Sequence, residues 1–163
     1  MKYVFIDAEY AYTCSAREGQ LPNYKNIMEL FNSDEEKVVL VYHVGAQDKK
    51  RGVCDFLTRL GVDYNIILEH DHASKTQLVA ATMGIDVMKY FQKSKDASFY
   101  FLTGDDYLIP IINELINYEL QINIFYFPAI YSIELKYVLD RYNIKPKALS
   151  NRYFTYPRMK DGR

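Results

Sequence analysis

Phe99-Tyr100-Phe101-Leu102-Thr103-Gly104-Asp105-Asp106-Tyr107-Leu108-Ile109-Pro110 decides the fold of this chain. The four apolar residues at its head read as a buried strand. Thr103 and Gly104 suit a tight turn, and a helical pattern starts at once after it. Two carboxylates at the carboxyl end of a central strand stand where open α/β sheets place their chemistry. An earlier run, Tyr3-Val4-Phe5-Ile6-Asp7, has the same form, a strand running straight into an aspartate.

Outward from these two runs, strands and helices alternate. Strands are expected at 2–6, 38–42, 64–68, 99–102 and 122–126, and helices at 23–32, 48–60, 74–92, 106–118 and 131–141. Pro22 precedes the first of these helices, Asp48 and Ser74 are candidate N-caps, and Gly61 is a candidate C′ residue. Helices between nearly all strands predict an α/β fold: three layers around a mostly parallel five-stranded sheet. In the order 3-2-1-4-5 the first and fourth strands are neighbours. A crevice then opens between the loops that follow them, with Asp7 and Asp105 side by side. One domain is expected over residues 1–144, followed by a tail at 145–163.

Composition narrows the function. The chain has 163 residues, 25% of them charged, and a net charge of −1, so bulk charge recruits neither nucleic acid nor a membrane. The 16 tyrosines are read chiefly as core and surface filler. Cys14 and Cys54 make no disulfide framework and read as reduced buried thiols. The apolar run after Lys2 is too short for a signal peptide, and no run approaches a membrane span. A cytoplasmic setting with no membrane partner is the expectation.

Two unpaired carboxylates in one crevice repel each other. A divalent cation resolves that repulsion, and Mg²⁺ or Mn²⁺ suits such oxygen ligands. The competing explanation for Asp105 and Asp106 is capping, since acids favour a helix start. Asp86 stands in an apolar helical stretch. It is read either as a further acid of the site or as an ion-pair partner of Lys89. Lys75 lies 11 positions before Asp86, so Lys75, Thr82 and Asp86 can share one helix face.

On these residues the chain resembles the NYN group of PIN-like ribonucleases. Members carry a first-strand Asp-x-x-Asn, a central helix of the form Lys-Gly-Val-Asp ending in a further Asp, and Ser-Gly-Asp-x-Asp-Phe-x-Pro. Asp7 matches the first of these, Asp86 the later helix aspartate, Thr103-Gly104-Asp105 the Ser-Gly-Asp and Pro110 the trailing proline. The resemblance covers residues 2–127 and implies a PIN-like, Rossmann-related fold. It departs at Tyr10, where the family has Asn, and at Tyr107, where it has the second aspartate. Aligned through Asp86, Ala80 falls at the first helix aspartate and Gln77 at the lysine, with Lys75 two positions off. Asp106 and Glu9 are candidate replacement carboxylates.

The resemblance implies a metal-dependent endoribonuclease acting on RNA, single-stranded RNA first. Asp7, Asp86, Asp105 and Asp106 are its catalytic candidates, and the first three would hold Mg²⁺ or Mn²⁺. Lys75, Thr103 and Tyr10 are the substrate-binding candidates. The missing family residues also support a catalytically weakened module that binds RNA or protein. A haloacid-dehalogenase-type phosphatase is a third, weaker alternative, since Glu9 stands where that class usually has Asp.

Other signals are slighter. Glu69-His70-Asp71-His72 lacks zinc-site spacing and reads as a loop. His43 ends the second strand on the same edge as Asp7 and reads as structural. Lys49-Lys50-Arg51 opens a helix where cations oppose the dipole. The tail mixes Lys145, Lys147, Arg152, Arg158, Lys160 and Arg163 with Tyr153, Phe154 and Tyr156, a composition suited to nucleic acid or to a solvated extension. The apolar run 125–130 reads either as a homodimer contact or as the end of a buried edge strand.

Overall fold

The computed structural model describes residues 1–33, 35–45, 54–69, 72–93 and 96–157. The expected Asp48 cap, the cations 49–51, His70, Asp71, Arg158, Lys160 and Arg163 lie outside the described residues. Strand β1 is Lys2–Asp7, followed by α1 (Ala8–Ala16), β2 (Leu21–Pro22), α2 (Tyr24–Glu29) and β3 (Lys37–Val44). Residues 54–59 form α3. Then come β4 (Asp63–Ile67), α4 (Lys75–Phe91), β5 (Ser98–Leu102), α5 (Leu108–Asn117), β6 (Gln121–Tyr126) and α6 (Ile133–Arg141). The chain closes with β7 (Lys147–Ala148), a 3₁₀ turn at Asn151–Tyr153 and β8 (Phe154–Thr155).

The main sheet runs β4-β3-β1-β5-β6-β7, and every pairing in it is parallel. The five longer strands take the expected order, and the sixth is a two-residue addition at the edge, where Phe125 faces Lys147. Side chains alternate across the sheet as the pleat requires. Val4, Ile6, Val39, Val41 and Leu102 meet α1–α3 on one side. Tyr3, Phe5, Leu40, Tyr42, Phe99 and Phe101 meet α4–α6 on the other. Parallel strands covered on both faces are near-continuously apolar, which is why these runs stood out in the sequence.

Local signals explain the boundaries. Ser74 caps α4, accepting from the Gln77 N–H while Gln77 reaches back to the Ser74 N–H, a reciprocal capping box. Gly61 takes φ +68° just past α3, a conformation that costs glycine little. Helix α1 was not expected. It is short, and its buried side chains (Ala8, Tyr10, Ala11, Cys14 and Ser15) are mostly small.

The segment expected as a tail packs into the same core. Leu149, Tyr153 and Phe154 are buried, and Phe154 lies 4.6 Å from the Phe127 ring, centroid to centroid. Strand β8 pairs antiparallel with β2. The run 125–130 is engaged within the chain through buried Phe127. Cys14 and Cys54 are both buried, and neither is in a disulfide. Among the described residues, no helix is long and apolar enough to cross a membrane.

Candidate active site

The sheet order reverses between β1 and β5, because the chain moves outward from β1 to β3 and β4 and then crosses back. Helices leave opposite faces there, and a crevice opens at the carboxyl ends of the strands. Asp7 ends β1, and Asp105 lies just past β5. Both line one cleft of about 330 Å³ together with Glu9, Tyr10, Tyr12, Thr13, Lys75, Thr76 and Ile130.

Asp7 is 1% exposed. Its Oδ1 accepts from the Tyr10 N–H at 2.9 Å, so it is also the N-cap of α1. Its Oδ2 accepts from the Tyr107 hydroxyl at 2.9 Å. Burial pushes the Asp7 carboxyl up to about 7, and the charges of Asp105 and Glu9 act in the same direction. The two hydrogen bonds pull the other way without prevailing. Asp105 is raised as well, first by burial and then by neighbouring Asp106. Anions are therefore gathered where water is scarce, an arrangement that favours a bound cation or proton.

Glu9 braces the rim. Its Oε1 accepts from the Val44 N–H at 2.7 Å, and its Oε2 lies 3.9 Å from the Lys75 ammonium. Lys75 also faces Glu69 at 3.6 Å and keeps about half its side chain in solvent. Its place at the cleft comes from α4 starting at the carboxyl edge.

The expected residues divide. Asp7, Asp105, Lys75 and Tyr10 come together. Asp86 does not: its Oδ2 accepts from Tyr42 at 3.0 Å and Asn65 at 3.2 Å, and its Oδ1 from Lys89 at 3.2 Å. It lies eleven positions from Lys75, about 16 Å along the α4 axis. The ion-pair explanation therefore holds for Asp86. With Lys75 at the cleft, the residue three positions on is Leu78, an apolar side chain where the family pattern has its first helix aspartate. Among the described residues, no group of three or more His, Cys, Asp or Glu side chains is gathered so that it could hold a metal ion.

Neither Asp105 nor Asp106 is the N-cap of α5: that position falls to Tyr107, which makes no side-chain cap hydrogen bond. Asp106 is exposed and is not among the residues that line the cleft. Thr103 is fully buried, and its hydroxyl accepts from the Asp105 N–H at 3.3 Å, so it shapes the turn and has no surface to offer substrate. Tyr10 is 3% exposed, and its hydroxyl is held by the Phe127 N–H at 2.9 Å and the Ile130 carbonyl at 2.6 Å. It too is a strut. The Tyr107 phenol on Asp7 was missed because a tyrosine beside an apolar helix looks like core filler.

No curated protein matches this chain as a relative. The family model for the NYN domain matches residues 3–145, a span that takes in β1, the cleft and every strand of the sheet up to β6. By its sequence over that span, and by a fold that sets two aspartates at the crossover of a parallel sheet, the chain belongs to the NYN domain family.

Proposed function

We propose that this chain is a metal-dependent endoribonuclease whose working groups are Asp7, Asp105 and Lys75. One observation carries the reading: the two carboxylates and the lysine line a single cleft at the switch point of the sheet. Membership in a family of PIN-like nucleases supports the same class of chemistry.

The donor set fits an oxygen-seeking divalent ion, Mg²⁺ or Mn²⁺, held by Asp7 and Asp105. Such ions are commonly bound by one or two carboxylates, with water and substrate phosphate completing the shell. That fits a cleft whose third acid, Glu9, is engaged by the Val44 N–H and Lys75, with no three-acid metal group among the described residues. A bound ion of this kind supplies Lewis-acid polarisation of the phosphate and a more acidic water. The protein contributes the rest. Burial of Asp7 keeps bulk water away and strengthens electrostatics inside the cleft. Lys75, steadied by Glu9, neutralises a phosphate oxygen. Single-stranded RNA is the substrate proposed, since a flexible strand can bring its phosphate into a narrow cleft.

A second reading has its own observation. Tyr107 stands where the family pattern has one carboxylate, and Ala80 (aligned through Asp86) or Leu78 (aligned through Lys75) where it has another, which supports a weakened domain that binds RNA or protein without cutting it. The deciding experiment is cleavage of single-stranded RNA in Mn²⁺ by the wild type and by Asp7→Asn. The nuclease reading expects a loss of about 100-fold or more in the variant. Equal cleavage by both chains would overturn it. Absence of both cleavage and Mn²⁺ binding in the wild type would favour the binding module.

A further inference from the structure

Asp7 is pinned from two sides by elements far apart in sequence. The α1 backbone holds Oδ1 through the Tyr10 N–H, and the Tyr107 phenol, beside the start of α5, holds Oδ2. A carboxylate is normally free to turn about its last torsion. Here both oxygens are fixed, and each keeps a lone pair for a further partner. The Tyr107 ring is partly buried and packs against the core beside α4, with its hydroxyl 3.9 Å from the Met83 sulfur. The donor is neutral, so it orients Asp7 without adding charge to the cleft.

We infer that Tyr107 is the positioning residue of this site, and that its phenol sets the orientation in which Asp7 binds a divalent cation. The inference rests on the cation reading above and deepens it. A site with two carboxylates has no spare ligand to tolerate a misaligned one. Hydrogen bonds that orient a metal-binding side chain are worth about 10- to 100-fold in affinity. Tyr107 touches neither substrate nor ion in this scheme and acts through Asp7.

The test is Mn²⁺ binding to the full chain without RNA, read from the electron paramagnetic resonance signal of free Mn²⁺. Four chains are compared: wild type, Tyr107→Phe, Met83→Leu and Asp7→Asn. Tyr107→Phe removes the hydroxyl and keeps the ring, and should weaken Mn²⁺ binding about tenfold or more. Met83→Leu removes the sulfur beside the phenol while keeping the side-chain volume and the bond to Asp7, and should leave binding within about twofold, because volume-conserving swaps are well tolerated. In RNA cleavage, Tyr107→Phe should recover its kcat as Mn²⁺ is raised. Unchanged Mn²⁺ affinity in Tyr107→Phe would overturn the inference while leaving the nuclease reading intact, provided Asp7→Asn still loses binding. An equal loss in Met83→Leu would assign the effect to packing and overturn it too. A wild type that binds no Mn²⁺ would remove both. Should Tyr107→Phe not fold, 3-fluorotyrosine at position 107 keeps the ring and strengthens the donor, and an unaltered Mn²⁺ affinity would then overturn the inference.

Discussion

Asp7 caps a helix and lines the cleft at the same time, and burial makes that combination costly. Its carboxyl titrates near 7 in the folded chain against an ordinary 3.8. Between those values the folded chain holds a proton that the unfolded chain has released. Stability from this group therefore falls as pH rises from about 4 to 7, and the full penalty applies above 7. The size is on the order of a few kcal/mol. Asparagine caps helices as well as aspartate does. Asp7→Asn should therefore raise the melting temperature at pH 8 by roughly 2–4 °C per kcal/mol relieved, with the gap closing toward pH 4. Thermal melts of both chains across that range check it, and a variant less stable than wild type at pH 8 would contradict it. Gly104 is constrained in the opposite sense. A Cβ there would lie 2.5 Å from the Ile130 carbonyl oxygen and 2.6 Å from the Tyr10 hydroxyl, so something must shift. Gly104→Ala should cost about 1–3 kcal/mol, measured by urea denaturation, and should open the turn that carries Asp105.

Among the elements, α1 shows why some of the fold was legible and some was not. The long runs β1, β3 and β5 announced themselves because parallel strands buried on both faces must be apolar, and β6 showed as an apolar run although only Ile124 in it is buried. Helix α4 was legible from its cap and length. Helix α1 offers small buried side chains and no apolar stripe, and its one clear signal, the Asp7 cap, was read as chemistry. Strands β2, β7 and β8 have two residues each, too few for any period to show. The site divided along the same line. Asp7 and Asp105 were legible because topology fixes strand ends. Asp86 was not, because its distance from the cleft depends on where α4 begins. What holds α1 to the rest is Tyr10, whose hydroxyl meets the Phe127 N–H and the Ile130 carbonyl across 117 and 120 positions of sequence. Tyr10→Phe would leave that buried N–H without its acceptor. The expected cost is about 1–3 kcal/mol, read from the denaturant midpoint. Because Tyr10 is a strut, RNA cleavage per folded molecule should fall much less than in Asp7→Asn.

At the scale of the molecule, one crossover places the cleft, and the helical layers on both faces keep Asp7 dry. The charge balance of the whole chain says little, since the acids that matter are few and gathered at one edge. The β2–β8 clasp has a different kind of consequence. It joins Leu21 to Thr155, 134 positions apart, and its Phe154 and the adjoining Tyr153 lie in the core that α1 and α2 share. Closing so long a loop costs chain entropy before any contact repays it. On the ribosome, the N-terminal strand, helix and clasp partner emerge first and must wait for residues near 155 before that side of the core is sealed. The cleft's first strand is thus synthesised well before the segment that seals its side of the core, so the C-terminal segment bears on folding time as well as on final stability through buried Leu149, Tyr153 and Phe154.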